Sequence, residues 1–250
     1  MKILVTGGAG YIGSHVVKLL GERGRDEIVV LDNLSTGRAD AILFGRLEVM
    51  DLSEFEKVDQ FMKKEKFDAV IHFAAKIVVP ESVVNPLLYY RNNTVNTINL
   101  INSCVKYGVE KFIFSSTAAV YGEPENGIVT ESSQTQQINP YGMSKLMSEN
   151  VIKDAAFAHK NFKYVILRYF NVAGADPDGL IGQNFPDATH LIKVACQTAL
   201  GMRESLSVFG TDFNTPDGTG VRDYIHVTDL SSAHLRSEEH TSELQSPNTI

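Results

Sequence analysis

The chain has 250 residues, 23 of them basic and 30 acidic, which gives a formal net charge of -7. Hydrophobic residues make up 43% and charged residues 21%, a composition typical of folded globular proteins that argues against general disorder. Binding to nucleic acid or to an anionic membrane needs clustered Lys and Arg, so the acidic balance predicts neither partner.

Targeting and redox signals are few. No apolar run is long enough to span a bilayer, and the N-terminal MKILVTGGAG lacks the features of a signal peptide. The two cysteines, Cys104 and Cys196, form no disulfide framework. We therefore expect a cytoplasmic enzyme or binding protein, and we predict no metal site.

Strand and helix signals alternate through the first two thirds of the sequence. Short apolar runs predict strands at residues 2–6, 27–32, 47–50, 69–73, 111–115 and 164–168. Apolar residues at helical spacing predict helices between them at residues 11–22, 55–64, 93–107 and 141–159. This alternation indicates βαβ units, so the predicted fold class is α/β, with a doubly wound parallel sheet of Rossmann type.

The composition changes near residue 175. Residues 174–187 and 210–220 are rich in Gly, Pro, Asp and Asn, and they frame a predicted helix at 189–200. We predict a dinucleotide-binding domain at 1–175 and a partial, smaller substrate-binding region at 176–235.

The first candidate site is the glycine-rich segment that follows the first strand and opens the first helix. Glycine allows a tight turn and close approach of a pyrophosphate, and a helix N-terminus offers free N–H groups to an anion. A turn needed only for packing is the alternative. The residues placed at this cofactor site are Gly7, Gly10, Tyr11, Ile12 and Gly13.

Residues at the ends of later strands extend the cofactor site. Asp32 ends the second strand, where a carboxylate accepts the ribose hydroxyls of a dinucleotide and repels a 2′-phosphate, so NAD is the predicted cofactor. An acid at a strand end can also be a simple turn residue. The neighbouring candidates at this sheet edge are Asn33, Asp51, Leu52, Phe73, Ala74 and Ala75.

A Tyr and a Lys four residues apart form the candidate catalytic pair. Tyr141 and Lys145 share one helix face, with Asn139 suited to the N-cap and Pro140 to the first turn. We expect the ammonium to lower the pKa of the phenol and make it a general base. The same spacing also occurs in ordinary surface helices. Thr117, at the end of the fifth strand, is the predicted hydroxyl partner of the substrate.

These motifs together resemble a known family. The sequence resembles the extended short-chain dehydrogenase/reductases and, among them, the NAD-dependent epimerases. The segments that carry this resemblance are TGGAGYIGSH, LDNLSTG, KFIFSSTAAVYG, NPYGMSK, RYFNVAG and DGTGVRDYIHVTDL. The resemblance runs to about Leu235. It implies tightly held NAD and a UDP-hexose substrate, UDP-glucose or UDP-galactose, whose C4 configuration is inverted through a 4-keto sugar. It also implies a homodimer in the full-length protein, with helices 93–107 and 141–159 as the contact faces.

The resemblance also implies roles for individual residues. Tyr141 is the base, Lys145 tunes it and holds the nicotinamide ribose, and Thr117 binds the sugar hydroxyl. Lys76 and either Asn92 or Asn93 line the cofactor. Tyr169 and Phe170 are implied at the nicotinamide wall, and Asn171 and Arg222 at the UDP diphosphate. The helix that faces the nucleotide is implied to begin with Thr189, His190 and Leu191.

Other activities remain open at this stage. A dehydratase needs an acid and a base beside Thr117, and Ala118 and Ala119 supply neither. An epimerase or decarboxylase acting on UDP-glucuronate and a non-catalytic NAD-binding module are the remaining alternatives.

The last fifteen residues differ from the rest. The string RSEEHTSELQS, from Arg236, is what a common short-read sequencing adapter would encode, so we interpret 236–250 as non-native. Its polar composition predicts disorder. Family members continue past this point with other residues. We therefore expect uncovered apolar surface, poor NAD binding or aggregation, and little turnover of UDP-hexose by this chain.

Overall fold

A computed structural model describes residues 1–124, 127–186 and 189–240, with the backbone alone for 238–240. Its main sheet is parallel, with strand order β3-β2-β1-β4-β5-β6. This order confirms the doubly wound prediction. The strands are β1 (Lys2–Thr6), β2 (Glu27–Asp32), β3 (Arg46–Val49), β4 (Ala69–His72), β5 (Lys111–Ser115) and β6 (Lys163–Leu167).

Helices connect the strands and cover both faces of the sheet. They are α1 (Tyr11–Arg23), α2 (Phe55–Glu65), α3 (Val79–Val84), α4 (Pro86–Tyr89), α5 (Asn96–Lys106), α6 (Pro140–Ala158), α7 (Leu191–Ala199) and α8 (Val227–His240). A short parallel pair, β7 (Asn171–Ala173) and β8 (Tyr224–His226), stands apart from the main sheet.

The core forms two layers, as expected for a sheet buried on both faces. Alternate residues of β1 point to opposite faces of the sheet. Leu4 packs with Met62 and Leu100 on one face, whereas Ile3 and Val5 pack in the apolar cluster on the other face. Each such fully buried side chain contributes about 1.5–3 kcal/mol through removal from water. This rigid sheet fixes the loops at its carboxyl edge.

The helix predicted at 93–107 differs from the observed one. The chain makes a π-helical turn at Tyr90–Val95, and α5 begins only at Asn96. A π turn inserts an extra residue into the helical ladder, which apolar spacing does not reveal. It carries Asn93 into the protein, where only 2% of the residue is exposed.

The later part of the chain contains elements that the sequence analysis did not predict. The predicted helix at 189–200 corresponds to α7, but β7, β8 and α8 were missed. Large apolar side chains lie exposed on the surface of this part, as expected, with Phe209 exposed at 94% and Leu200 at 76%.

The prediction of disorder from Arg236 onward is wrong for residues 236–240, because these residues continue helix α8. Ser237 is buried and donates its hydroxyl to the carbonyl of Ala233 at 2.8 Å, so the helix packs inward there. The other predicted tail residues, 241–250, lie outside the described residues. Across the described ranges, every helix is too short or too polar to cross a membrane.

Candidate active site

The glycine loop between β1 and α1 is a close-fitting backbone cradle. Gly7 has φ +72°, and its N–H donates to the Leu31 carbonyl at 2.8 Å. A β-carbon at Gly7 would lie 2.6 Å from the Ala74 nitrogen, and one at Gly13 would lie 2.4 Å from the Gly7 oxygen. Gly10 caps α1 without a side-chain hydrogen bond. The loop therefore presents backbone and a helix N-terminus to an anion.

Asp32 supports this loop from the end of β2. Its carboxylate accepts the N–H of Ala9 at 3.0 Å and that of Leu34 at 2.8 Å. Burial raises the pKa of Asp32, and these two hydrogen bonds oppose the shift. The carboxylate thus joins the glycine loop to the β2 end, where a ribose would lie.

The other acidic candidate, Asp51, lies beside the same edge. It accepts from the Asn33 amide at 2.5 Å and from the backbone of Ser53 at 2.8 Å. Burial opposes the net shift, but hydrogen bonds from Ser53 and Asn33 hold the pKa of Asp51 below its usual value. The following Leu52 is buried in the core.

The end of β4 curls over β1. The N–H groups of Phe73 and Ala74 both donate to the Thr6 carbonyl, at 2.9 and 3.1 Å. These bonds bring the segment Phe73, Ala74, Ala75 and Lys76 alongside the glycine loop. The backbone of Ala74 is the part that approaches Gly7 most closely. A dinucleotide fits the cradle because the small residues on both sides leave the backbone accessible.

Asn93 ties the β4 exit to the catalytic helix. Its oxygen accepts the Lys76 N–H at 2.8 Å, and its amide donates to the Lys76 carbonyl at 2.9 Å and to the Ser144 hydroxyl at 3.0 Å. Asn92 donates to Asn93 at 3.0 Å and is less buried. The Lys76 ammonium lies 3.8 Å from the Glu81 carboxylate.

Helix α6 begins as the sequence predicts. Asn139 caps it by accepting the N–H of Gly142 at 2.8 Å, and Pro140 occupies the first turn. The Thr117 hydroxyl lies close enough to the Tyr141 phenol to act on its pKa. The Lys145 ammonium donates to the carbonyl of Ser115 at 2.8 Å. The structure therefore brings together the three predicted catalytic residues.

One electrostatic expectation is wrong for the chain without a cofactor. Burial raises the pKa of Tyr141, although the Thr117 hydroxyl opposes this shift. Burial also lowers the pKa of Lys145 to about 7, and the Glu149 carboxylate opposes that change. Desolvation thus exceeds the effect that we expected from the ammonium, and a further positive charge is needed to ionise the phenol.

The residues implied for the substrate side lie on and around β7. Asn171 donates its amide to the Asp223 carbonyl at 3.0 Å, which joins it to the segment that carries Arg222. The Arg222 guanidinium is exposed and donates to the neighbouring Val221 carbonyl at 2.8 Å. Phe170 is 46% exposed. Tyr11 donates to the Gly174 carbonyl at 2.6 Å.

Tyr169, which the resemblance implies, shares a short hydrogen bond with the Ser115 hydroxyl. The fully buried Glu149 and its partner Arg168 lie near the catalytic pair and were missed. Glu149 stands four residues after Lys145, so the spacing YxxxKxxxE was the signal that could have revealed it.

Comparisons with known proteins find similar chains over most of this sequence. The profile of the NAD dependent epimerase/dehydratase family matches residues 3–250. The UDP-glucose 4-epimerase of Azospirillum brasilense is 56% identical over 235 residues, which is 94% of this chain and 67% of that protein.

Solved structures are similar over the whole chain. The UDP-glucose 4-epimerase from Brucella ovis in complex with NAD is 44% identical, with a TM-score of 0.94. The enzyme from Bifidobacterium longum in complex with NAD+ and UDP is 34% identical, with a TM-score of 0.91. Each comparison covers 100% of this chain and 76% of the other.

Proposed function

Because the chain belongs to the NAD dependent epimerase/dehydratase family, we propose that its site inverts C4 of a UDP-hexose. It is an NAD-dependent epimerase, and the reaction is the interconversion of UDP-glucose and UDP-galactose. The observation that supports this most directly is the position of two hydroxyls. The Thr117 hydroxyl lies close enough to the Tyr141 phenol to oppose the rise of its pKa, so both could bind one sugar hydroxyl.

The chemistry of the site divides between cofactor and protein. NAD, when bound, accepts a hydride from the sugar and returns it. Tyr141 takes the proton from the sugar 4-hydroxyl and later gives it back, as a general base and acid. Thr117 orients the same oxygen by a hydrogen bond. Lys145, held on the Ser115 carbonyl, lies on the same helix face as the phenol and favours its ionised form.

Inversion needs firm nucleotide binding and a sugar that can turn. We place the UDP diphosphate near Asn171 and Arg222. The pairing of β7 with β8 brings the chain around these two residues together. Arginine suits a diphosphate because its planar fork donates two hydrogen bonds at once. The 4-keto sugar can then rotate about its diphosphate link and present its other face.

The direct test is conversion of UDP-galactose to UDP-glucose by the purified chain, followed by product analysis. The epimerase of Azospirillum brasilense serves as the positive control. We expect inverted product and transient reduction of the cofactor, but at a rate well below that of the control, because apolar side chains such as Phe209 and Leu200 are left exposed. A folded chain that binds NAD but neither reduces it with UDP-galactose nor forms UDP-glucose would contradict the proposal. Release of a decarboxylated sugar from UDP-glucuronate would favour the alternative activity.

Asp32 provides a test of the cofactor site. Replacing Asp32 by Asn should weaken NAD binding roughly tenfold to a hundredfold, since a hydrogen bond to a charged group contributes about 1.5–3 kcal/mol. The discrimination against NADP should shrink, because the charge that repels a 2′-phosphate is gone. Equilibrium dialysis with both cofactors measures this. Asp59→Asn, on α2 and bound to Lys106, is the matched control. Equal dissociation constants in Asp32→Asn and the parent would disprove the role.

We also propose that the chain dimerises through α5 and the middle of α6. Both helices expose apolar side chains, with Ile98 exposed at 41% and Met147 at 44%. Ile98→Glu should give a monomer by light scattering, because an uncompensated buried charge is costly. Leu200→Glu, which changes another exposed apolar residue outside these helices, should leave the mass unchanged. A parent chain that is monomeric at all concentrations would rule the interface out.

A further inference from the structure

One face of α6 makes three successive contacts with one strand end. Tyr141 lies next to Thr117, whose hydroxyl acts on its pKa, and the Lys145 ammonium donates to the Ser115 carbonyl at 2.8 Å. One turn further, Glu149 accepts the Ser116 hydroxyl at 2.5 Å. Residues spaced by four lie on the same side of a helix, so this face meets three consecutive residues of the chain.

Glu149 is a completely buried carboxylate with a dedicated partner. Arg168 follows β6 and donates Nε to one Glu149 oxygen at 2.9 Å and Nη2 to the other at 2.5 Å. The Arg168 guanidinium also lies 4.9 Å from the Tyr121 ring centroid. The Lys153 ammonium is 3.6 Å away from the carboxylate. These contacts hold the carboxylate in one orientation.

A buried ion pair is weak evidence for stability, since apolar residues of similar volume often serve as well. Glu149 also accepts the hydroxyl of Ser116, which is itself 2% exposed. This contact connects the carboxylate to the residue between Ser115, which holds Lys145, and Thr117, which meets Tyr141.

We propose that Glu149 is a positioning residue for the reaction: its carboxylate fixes the Ser115–Thr117 strand end against α6. The same carboxylate favours the charged form of Lys145. This inference rests on the proposed function of the Tyr141 site. The role is indirect, because Glu149 is fully buried and reaches the reacting groups only through Ser116 and Lys145.

The surroundings of Lys145 allow the electrostatic part to be tested. Burial lowers the pKa of Lys145 to about 7, and Glu149 opposes this shift. The ammonium also lies 4.8 Å from the Phe114 ring centroid. Two titratable groups interact with the ammonium directly: His72 on β4 and Glu149 on α6. Groups one contact further away are Tyr89 and Tyr169, which interact with Tyr141, and Arg168, which pairs with Glu149.

The experiment compares Glu149→Gln and Ser116→Ala with the parent chain. Glu65→Gln is the matched control, since that carboxylate is also largely buried and pairs with Lys2 and Arg46 away from the site. Competitive acetylation of Lys145, followed by mass spectrometry across pH, reports its proton. The pH dependence of kcat and the KM for UDP-galactose report catalysis. Circular dichroism establishes folding.

In Glu149→Gln we expect the pH of half-maximal acetylation of Lys145 to fall by about one unit, because loss of an anion disfavours the ammonium. We expect kcat to fall roughly tenfold, with KM nearly unchanged. Ser116→Ala keeps the charge, so it should lower kcat severalfold and leave the acetylation midpoint in place. Glu65→Gln should match the parent in both readouts.

The outcomes separate this inference from the proposed function. A folded Glu149→Gln chain with the parent's acetylation midpoint and kcat overturns the inference. If Glu149→Gln does not fold, Ser116→Ala decides: an unchanged kcat in that variant overturns it. Acetylation needs no turnover, so a parent chain without epimerase activity refutes the proposed function, while the midpoint in Glu149→Gln still decides the charge effect.

Discussion

Replacing Tyr141 by Phe is expected to lower the turnover of UDP-galactose by roughly 10²–10⁴-fold, the usual contribution of a positioned acid or base. The change removes the phenol oxygen, on whose pKa the Thr117 hydroxyl acts. The ring remains, and with it the edge contact with Tyr89 at 6.4 Å between centroids. The affinity for NAD should change little, because the glycine cradle and Asp32 are untouched.

The size of the effect follows from the pKa of the phenol. Burial raises the pKa of Tyr141, so the surrounding protein by itself keeps the phenol neutral at neutral pH. A bound nicotinamide cation would favour the phenolate. Ultraviolet titration of the parent chain should therefore show this phenol ionising at lower pH with NAD than without it, and Tyr141→Phe should lose that transition.

The control for Tyr141 is another Tyr-to-Phe change. Tyr107 donates its hydroxyl to Asp59 at 2.7 Å, away from the site, so Tyr107→Phe tests the loss of a phenol oxygen in general. It should retain nearly full turnover. If Tyr141→Phe keeps turnover within a few fold of this control, Tyr141 is not the acid–base group.

Replacing Gly7 by Ala should abolish tight NAD binding and lower thermal stability. Gly7 has φ +72°, which costs an L-residue about 1–2 kcal/mol. Its β-carbon would also lie 2.6 Å from the backbone nitrogen of Ala74, which cannot move without shifting the β4 exit. Overpacking of this kind adds typically 1–3 kcal/mol. We expect the dissociation constant for NAD to rise more than about tenfold.

Gly108 offers a control with the same backbone conformation and no contact. Its φ is +77°, and a β-carbon there would meet nothing within 4 Å. Gly108→Ala therefore isolates the conformational cost, and its NAD binding should equal that of the parent. Thermal unfolding and equilibrium dialysis compare the two variants. Equal losses of stability and unchanged NAD binding in both would show that the approach to Ala74 is not a constraint.

The sequence predicts the sheet and the cofactor loop well because short-range patterns encode both. The strand at 2–6, the glycines at 7–13 and Asp32 follow one another within a single βαβ unit, where order along the chain fixes order in space. The cap at Asn139 is equally local.

Contacts between distant segments could not be predicted in the same way. The bridge from Asn93 to Lys76 and Ser144 depends on a π turn, and no apolar spacing marks such a turn. The direction of the pKa shift of Tyr141 depends on how deeply the ring is buried, and helix spacing does not reveal that depth. The Glu149–Arg168 pair joins α6 to the end of β6, nineteen positions apart in sequence.

Helix α8 has a consequence for how the protein is made. It packs against α1, β5 and β6, with Leu235 against the cluster formed by Ile3, Val16 and Ile113. One face of the sheet is thus closed by a helix that is synthesised well after all six strands. A nascent chain carrying the complete cofactor loop would still expose this face to water, and to chaperones, until synthesis passed residue 235.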